Sequence, residues 1–256
     1  VVMQQDYVRL NQLKRHPRGV LRSLKVGART MWAQARHKNL VGMGRALIAP
    51  LRVALRQAGV PVLLNTELTD LYVEDSVVRG IYVRDTNAPE DAEPRLIQAR
   101  RGVILCSGGF EHNEAMRHKY QRAPITTDWT VGAVANTGDG IVAAEKLGAA
   151  LELMEDAWWG PTVPLAGAPW FALSERNSPG SIIVNASAKR FMNESMPYVE
   201  ACHHMYGGQY GQGSGPGENV PAWLIFDQQY RDRYIFAGLQ PGQRIPKKWM
   251  ESGVIV

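Results

Sequence analysis

Residues 68–74 and 77–84 are two segments in which apolar and polar side chains alternate, and Asp75-Ser76 joins them. A period of two is typical of strands with one buried face, and the short polar connection predicts a β-hairpin. A short apolar run at 62–64 precedes the hairpin, and residues 96–99 return to the β pattern after a polar loop. The sequence therefore predicts an antiparallel series of strands.

The next apolar segment, residues 102–106, shows no alternation and runs directly into Ser107, Gly108 and Gly109. A strand that is apolar on both faces is typical of a buried parallel sheet. Glycines at the end of such a strand allow a ligand or another backbone to approach closely. We therefore expect a buried parallel strand here, with a binding site at its end.

Helical patterns occur on both sides of this region. Residues 1–35 favour helix with breaks at His16-Pro17 and Gly19, and residues 44–58 place their leucines on one apolar face. A further helix is predicted over residues 140–150. The chain is therefore expected to mix helices and strands.

Positive charge is concentrated at the start of the chain. The first 58 residues contain twelve Lys or Arg and one acid, Asp6, whereas the remainder contains 17 basic and 23 acidic residues. Such a block can bind nucleic acid or an anionic membrane, or it can be the solvated face of helices. No RNA-binding, zinc-finger or helix-turn-helix pattern accompanies it. We favour the solvated face, exclude nucleic acid, and leave peripheral membrane contact open.

Cysteine content and hydropathy indicate the compartment. Cys106 and Cys202 are the only cysteines, and no stretch of 18 apolar residues or secretion leader is present. Two cysteines without a CxxC pair fit a reducing compartment. We expect a cytoplasmic protein, with membrane association left open.

Two short motifs invite a ligand. Asn136-Thr137-Gly138-Asp139-Gly140 precedes the predicted helix at 140–150, so Thr137 or Asp139 could cap it and free amides could meet an anionic oxygen. A plain helix start is the alternative. Cys202-His203-His204 has metal-ligating residue types, but adjacent histidines diverge and no second cluster has ligand spacing, so no metal site is predicted.

Other signatures of catalysis are incomplete or missing. Ser195 lacks the GxSxG context of a serine hydrolase, and the sequence contains neither a complete GxGxxG nor a P-loop motif. Residues 190–200 combine charged side chains with Pro197-Tyr198. Because Pro197 fixes the backbone before Tyr198, this segment either presents the phenol to a pocket or forms a structural turn with a surface tyrosine.

Three motifs in a fixed order point to a family. They are GVILCSGGF at 102–110, NTGDG at 136–140 and GSIIVNASAKRFMNESMPY at 180–198. In this order they resemble the fumarate reductase/succinate dehydrogenase flavoprotein superfamily. Four further segments resemble actinobacterial 3-ketosteroid Δ1-dehydrogenases over essentially the whole chain: DAWWGPTVP, PWFALSERNSPGSIIVN, RFMNESMPYVEACHHMYGG and PAWLIFDQ.

The resemblance implies an FAD-dependent oxidoreductase that introduces a C1=C2 double bond into 3-ketosteroids. Fumarate reductases carry a proton-donating Arg where this chain has Tyr198, and in ketosteroid dehydrogenases the matching Tyr is the base. Tyr198 is therefore the expected catalytic residue, with Arg190 structural or electrostatic. The identity of the electron acceptor and the oligomeric state are left open.

The resemblance also suggests binding residues. The expected FAD contacts are Leu68, Ser107, Gly108, Gly109, Thr137, Gly138 and Asp139. A steroid is flat and apolar, so its expected lining is Trp158, Trp159, Trp170, Phe171, Leu173 and Tyr198, with ordinary core packing as the alternative for each.

The implied architecture is part of an FAD-binding Rossmann-like domain with an antiparallel strand series, followed by an α+β substrate domain. We expect residues 1–110 in the former and 111–256 in the latter, in the middle part of a longer enzyme. Two alternatives stay open: an FAD-dependent reductase of a small unsaturated acid, and a non-catalytic fragment that lacks both flavin-binding ends.

Overall fold

A computed structural model of the chain describes residues 2–10, 16–42 and 44–256. It divides into two compact units, Val1–Leu64 and Asn65–Val256. The helices in the described ranges are α1 (Gln4–Leu10), α2 (Pro17–Ala35), α3 (Gly44–Gln57), α4 (Glu114–Tyr120), α5 (Asp139–Glu145), α6 (Ser174–Asn177), α7 (Tyr198–Tyr206), α8 (Gln228–Arg233) and α9 (Lys247–Glu251). The strands are β1 (Thr66–Glu74), β2 (Val77–Asp85), β3 (Arg95–Gln98), β4 (Thr162–Val163), β5 (Trp170–Phe171), β6 (Ser181–Val184) and β7 (Trp223–Phe226).

A buried carboxylate joins α1 to α2 in the first unit. The side chain of Asp6 is fully buried and accepts hydrogen bonds from Arg22 Nε and Arg29 Nη2, both at 2.7 Å, and from the backbone N–H of Met3 at 2.8 Å. The hydrogen bonds from Arg29, Met3 and Arg22 outweigh burial and lower the pKa of Asp6 to about 2. Asp6, the single acid of the basic block, therefore forms ion pairs with two of its arginines. The numbers of charged residues in the sequence did not indicate this role.

The predicted helix breaks are correct at residue 16 and wrong at Gly19. The side chain of His16 accepts the N–H of Arg18 as an N-cap, and Pro17 occupies the first helical position. Gly19 lies buried inside α2, because a helix that has begun at Pro17 accommodates one glycine at modest cost. Residues 11–15 of the prediction lie outside the described residues.

The predicted helix at 44–58 is confirmed as α3, but the apolar face formed by Leu47, Leu51 and Leu55 is exposed. Residues 62–64 form no strand, because no described segment pairs with them, so that expectation is wrong.

The second unit begins with an antiparallel meander in the order β1-β2-β3. Ile81 of β2 is opposite Leu71 on one side and Ile97 on the other. Asp75 and Ser76 take left-handed backbone angles, with φ of 51° and 60°, which suit a two-residue hairpin turn. The predicted hairpin and third strand are therefore confirmed.

Residues 102–109 form neither helix nor strand and belong to no sheet in the described chain. Ile104 is 88% exposed, and Leu105 and Cys106 are exposed as well. The backbone N–H groups of Ser107, Gly108 and Gly109 have no hydrogen-bond acceptor within the ranges described. The expected buried parallel strand is wrong for these residues, because no described strand lies beside the segment to pair with it.

The rest of the second unit uses short elements. Two antiparallel pairs, β4–β5 and β6–β7, and helices of four to nine residues surround two apolar clusters. Tyr230, Phe236 and Trp249 belong to one cluster, and Ile183 and Met192 to the other. The helix predicted at 140–150 ends early, at Glu145.

The described residues form an α+β structure with antiparallel pairing, as expected for its antiparallel strand series and mixed composition. The domain boundary at residue 110 concerns the complete protein and stays a prediction. Among the helices in the described ranges, none has the length and apolar character required to cross a bilayer.

Asp6→Asn in the full-length protein should loosen α1, because a neutral amide loses the charge attraction to the two guanidinium groups of Arg22 and Arg29. We expect amide hydrogen exchange in α1 to accelerate about tenfold at pH 7. Since the pKa of Asp6 is lowered from 3.8 to about 2, the stabilisation is present above pH 4 and lost as the pH falls toward 2. Asp91→Asn, in the exposed loop after β2, is the control. Unchanged protection of α1 in Asp6→Asn would contradict this role.

Candidate functional site

Tyr198 is the first residue of α7. Pro197 precedes it with φ −50° and ψ 145°, and the carbonyl of Pro197 accepts the N–H of Ala201 at 2.9 Å, which starts the helix. The Tyr198 side chain is 39% exposed, and its ring meets the edge of the Phe171 ring at 5.5 Å between centroids. The phenol is therefore supported on one side and open to solvent on the other.

Helix α7 is fixed behind Tyr198 by buried and hydrogen-bonded side chains. Ala201 and Cys202 are buried, and His203 Nε2 lies 3.0 Å from Asp156 Oδ1. Asp156 Oδ1 also accepts the indole N–H of Trp159 at 2.8 Å. Burial, which would raise the pKa of Asp156, is outweighed by these hydrogen bonds, so its pKa lies below the usual value. The carboxylate thus anchors α7 to the segment that carries Trp159.

Cys202 is buried, His203 is partly buried, and His204 is exposed. Burial raises the pKa of the Cys202 thiol to about 12, which keeps it protonated at neutral pH. His203 is engaged with Asp156. In the described part of the chain, no group of three or more His, Cys, Asp or Glu side chains is arranged to hold a metal ion.

An ion pair shapes the turn that leads to Tyr198. Arg190 Nη2 lies 2.6 Å from Glu194 Oε2, and Arg190 Nε contacts both carboxylate oxygens at 3.0 and 3.2 Å. Glu194 Oε1 also accepts the N–H of Ile183 in β6 at 2.8 Å. The hydrogen bonds from Arg190, together with that of Ile183, lower the pKa of Glu194 to about 2 despite burial. Arg190 is committed to this carboxylate, which supports its expected structural role.

Two adjacent buried charges, Glu175 and Arg176, were not singled out by the sequence. Glu175 Oε1 accepts the indole N–H of Trp170 at 2.8 Å and the N–H of Ala237 at 3.0 Å. Arg176 Nη1 donates to the carbonyl of Met196 at 2.7 Å. The only sequence signal is a pair of opposite charges between aromatic and apolar segments.

The expected steroid-lining residues are distributed unevenly. Phe171 contacts Tyr198, and a Cβ at Gly160 would overlap the Phe171 ring, so Phe171 packs against both residues. Trp170 is 38% exposed.

The remaining expected lining residues make no ring contact with Tyr198 among the described contacts. The Trp159 ring lies 5.9 Å from that of Tyr206, between centroids. Leu173 precedes α6 and is half exposed, and Trp158 is 94% exposed. Only Phe171 is brought into ring contact with Tyr198 among the described contacts.

The expected FAD contacts form a second cluster. Gly108 has φ 88°, and a Cβ there would lie 2.5 Å from Asn136 Oδ1. A Cβ at Gly140 would collide with Ser107 Oγ. The segment 107–109 therefore packs directly on the start of α5.

The start of α5 is ordered by local hydrogen bonds. Gly138 is the N-cap with φ 84° and no side-chain cap, and Thr137 Oγ1 donates to Asp139 Oδ1 at 2.8 Å. The proposed capping of the helix by Thr137 or Asp139 is wrong, because the two side chains bond to each other. Helix α5 packs against β1, the strand that contains Leu68.

Comparison with known proteins points in one direction. The family model described as the FAD binding domain matches residues 4–250. The 3-oxosteroid 1-dehydrogenase of Mycolicibacterium smegmatis is 88% identical over 256 residues, which are 100% of this chain and 45% of the relative. The 3-oxosteroid 1-dehydrogenase of Mycobacterium tuberculosis strain H37Rv is 82% identical, over 100% of this chain and 46% of the relative. The chain thus spans about half the length of these curated relatives.

A solved structure agrees in fold. The crystal structure of 3-ketosteroid Δ1-dehydrogenase from Sterolibacterium denitrificans in complex with 1,4-androstadiene-3,17-dione matches with a TM-score of 0.79 and 37% sequence identity. The match covers 92% of this chain and 42% of that chain.

Glu194→Gln in the full-length protein should weaken the turn before Tyr198. We expect local stability at pH 7 to fall by about 2 kcal/mol, the scale of hydrogen bonds to a charged group. The lowered pKa of Glu194 means that its stabilisation is present above pH 4.5 and lost as the pH falls toward 2. The difference from the parent protein, measured by hydrogen exchange of β6, should therefore shrink at pH 3. The exposed Glu200, changed to Gln, is the control, and equal effects of both changes would contradict the assignment.

Proposed function

The chain belongs to the FAD binding domain family, and on this premise we propose that it is part of a flavin-dependent dehydrogenase that introduces a C1=C2 double bond into 3-ketosteroids. The observation that carries the proposal is the 88% identity, over the whole chain, to a 3-oxosteroid 1-dehydrogenase. Because the chain spans 45% of that relative, the activity is proposed for the complete protein.

Desaturation beside a 3-ketone removes a proton from C2 and a hydride from C1. The ketone acidifies the C2 hydrogen, because the electrons left behind are delocalised onto its oxygen. Bound FAD would supply the acceptor for the hydride. We assign the base to Tyr198: its phenolate Oη takes the proton from C2 and becomes a phenol.

The surroundings of Tyr198 support this role. Its side chain is 39% exposed, so a substrate can reach it, and the edge contact with Phe171 limits rotation of its ring. Its position at the first residue of a helix whose next turn is buried reduces backbone freedom. A base must be held within hydrogen-bond reach of the proton that it removes.

A steroid needs an apolar surface with few polar groups. Phe171 and Trp170 of β5 and the nearby Leu173 are partly accessible and close in sequence to the contact with Tyr198. We propose these three, with Trp159 and Trp158, as the lining of the steroid site in the complete protein.

The residues of the second cluster fit the FAD cofactor in the donors they offer. Gly108 lies exposed in a left-handed conformation, and the N–H groups of Ser107, Gly108 and Gly109 have no acceptor in the residues described. Free amides in a glycine-rich segment are groups that oxygen-rich ligands bind. We propose that this segment contacts FAD, together with Leu68 and the stretch 137–139.

Three finer assignments follow from the same proposal. Residues 1–110 belong to the FAD-binding domain of the complete protein, and residues 111–256 belong mainly to the substrate domain. The protein acts in the cytoplasm, where the reduced flavin passes its electrons to an acceptor. Peripheral contact of the basic first unit with a membrane would bring it near a poorly soluble substrate.

The proposed activity is tested by dye reduction with the full-length protein. A 3-ketosteroid should drive reduction of an artificial electron acceptor, and a small unsaturated acid should not oxidise the reduced flavin. Tyr198→Phe removes one oxygen and keeps the ring against Phe171. We expect kcat to fall by at least about 10²-fold with little change in KM, the result of losing a general base.

Tyr210→Phe is the matched control for this loss. Tyr210 is 63% exposed in a glycine-rich loop, and we expect its variant to keep the kcat of the parent protein. Near-normal kcat in Tyr198→Phe would assign the base to another group, and absence of any steroid-driven reduction would refute the proposed function.

The flavin contact is tested by Gly108→Ala in the full-length protein. A Cβ at this position would press on Asn136 and strain a backbone with φ 88°, so the segment must move. We expect the dissociation constant for FAD, followed by flavin fluorescence, to rise about tenfold. Gly148 has a similar φ of 85° and open space around it, so Gly148→Ala controls for backbone strain. Equal FAD affinity in the two variants would argue against the contact.

A further inference from the structure

Helix α6 carries a buried arginine that reaches the backbone just before Tyr198. The Arg176 side chain is 2% exposed, and its Nη1 donates to the carbonyls of Glu194 at 2.5 Å and Met196 at 2.7 Å. Met196 is two residues before Tyr198. We infer that Arg176 is a positioning residue for Tyr198, an inference that rests on the proposed function and assigns no chemistry to Arg176 itself.

Burial of the Arg176 guanidinium carries a desolvation cost. Its Nε is buried without a hydrogen-bond partner, and no ion pair joins Arg176 to a carboxylate in the described ranges. A buried cation without a counter-charge, and with an unsatisfied N–H, is usually avoided in a core. Both hydrogen bonds reach the backbone of residues 194–196, so the guanidinium fixes that stretch.

The stretch needs such support because it contains Pro197. Proline has no N–H, so this residue cannot be held by donating a backbone hydrogen bond. The ring fixes φ at Pro197, and the remaining freedom lies in the residues before it. The N–H groups of Ser195 and Met196 donate to Asn193 and restrict part of that freedom. Arg176, through the carbonyls of Glu194 and Met196, restricts it further and sets the direction in which α7, and hence Tyr198, begins.

Glu175, which is next to Arg176 in α6, is anchored independently. Glu175 accepts hydrogen bonds from Trp170 and Ala237, and its own carbonyl accepts the Tyr230 hydroxyl at 2.7 Å. The carboxylate and guanidinium are adjacent in sequence but bind different parts of the unit. Helix α6 therefore links β5, with its ring contact to Tyr198, to the backbone that leads into Tyr198.

A lysine cannot replace this arrangement. The guanidinium is planar with donors in a fixed fork, whereas an ammonium on a flexible stem is a point charge. A shift of about 1 Å in a catalytic group can cost 10²-fold in rate. Arg176→Lys should therefore misplace Tyr198 while it keeps the charge.

The test uses the full-length, flavin-loaded protein. We expect Arg176→Lys to lower kcat at least about tenfold, with KM changed less than about threefold and flavin content unchanged. With a C2-deuterated 3-ketosteroid, the isotope effect on kcat should increase, because proton removal becomes slower relative to the other steps. A purely structural role would lower the amount of folded enzyme without changing the isotope effect.

Arg231→Lys is the matched control. Arg231 is also buried, at 6% exposure, and also donates to two backbone carbonyls, those of Tyr234 and Gln243, with no contact to the residues before Tyr198. We expect its kcat and isotope effect to equal those of the parent protein. Equal losses of kcat in the two lysine variants would overturn the inference.

A double-mutant cycle identifies the residue through which Arg176 acts. In a Tyr198→Phe background, Arg176→Lys should reduce kcat by less than twofold, because the group that it positions has lost its oxygen. Full additivity would overturn the inference. If Arg176→Lys does not fold, Arg176→Gln replaces it, and failure of both while Arg231→Lys folds would make Arg176 structural and overturn the inference. Normal kcat in Tyr198→Phe alone, by contrast, would refute the proposed base.

Discussion

Donation from guanidinium groups to backbone carbonyls joins segments of the second unit beyond its meander. After residue 110, the helices have at most nine residues and the strands at most four, so regular ladders satisfy only part of the backbone. Arg176 binds the turn before α7, and Arg122 donates to six carbonyls between residues 206 and 216. A planar group with five donors can join chain segments whose directions prevent them from pairing as strands.

Because arginine side chains replace regular strand pairing in this unit, the two candidate clusters are held in different ways. The backbone before Tyr198 is held by Arg176, which reaches it from α6, so its geometry depends on a residue in a separate element. The cluster around Gly108 and Gly138 is defined by the absence of side chains, since a Cβ at either glycine would meet Asn136 or Met116. The geometry at Tyr198 depends on hydrogen bonds from a charged side chain. The geometry at Gly108 and Gly138 depends on close contact between the backbone and neighbouring side chains.

The sequence predicted the parts of the fold that depend on local patterns. Alternation around Asp75-Ser76 was sufficient for the hairpin, because that turn requires only two residues that tolerate positive φ. The segment at 102–109 was predicted to be buried, but it is largely exposed. An apolar run indicates that a strand requires neighbouring strands on its edges and faces. It does not show that the described chain contains those neighbours. The helix expected to break at Gly19 continues, because the Pro17 start outweighs one glycine.

The site shows the same division. Tyr198 was reached through a motif resemblance, and its position at the start of α7 beside Phe171 is compatible with that expectation. Glu175, Arg176 and Asp156 were missed, because each has a partner at a sequence separation of 20 or more, which leaves no periodic signal. A resemblance identifies the group that faces the substrate more readily than the groups that aim it.

The unpaired segment at 102–109 has a consequence for handling the protein in solution. Residues 103–106 are hydrophobic, the backbone amides and carbonyls of the segment are free in the described chain, and it ends in two glycines. An open edge of this kind is a template onto which another extended chain adds by backbone hydrogen bonding. A preparation limited to these 256 residues is therefore prone to self-association through this edge, and a charged side chain at position 104 is the simplest way to make it soluble.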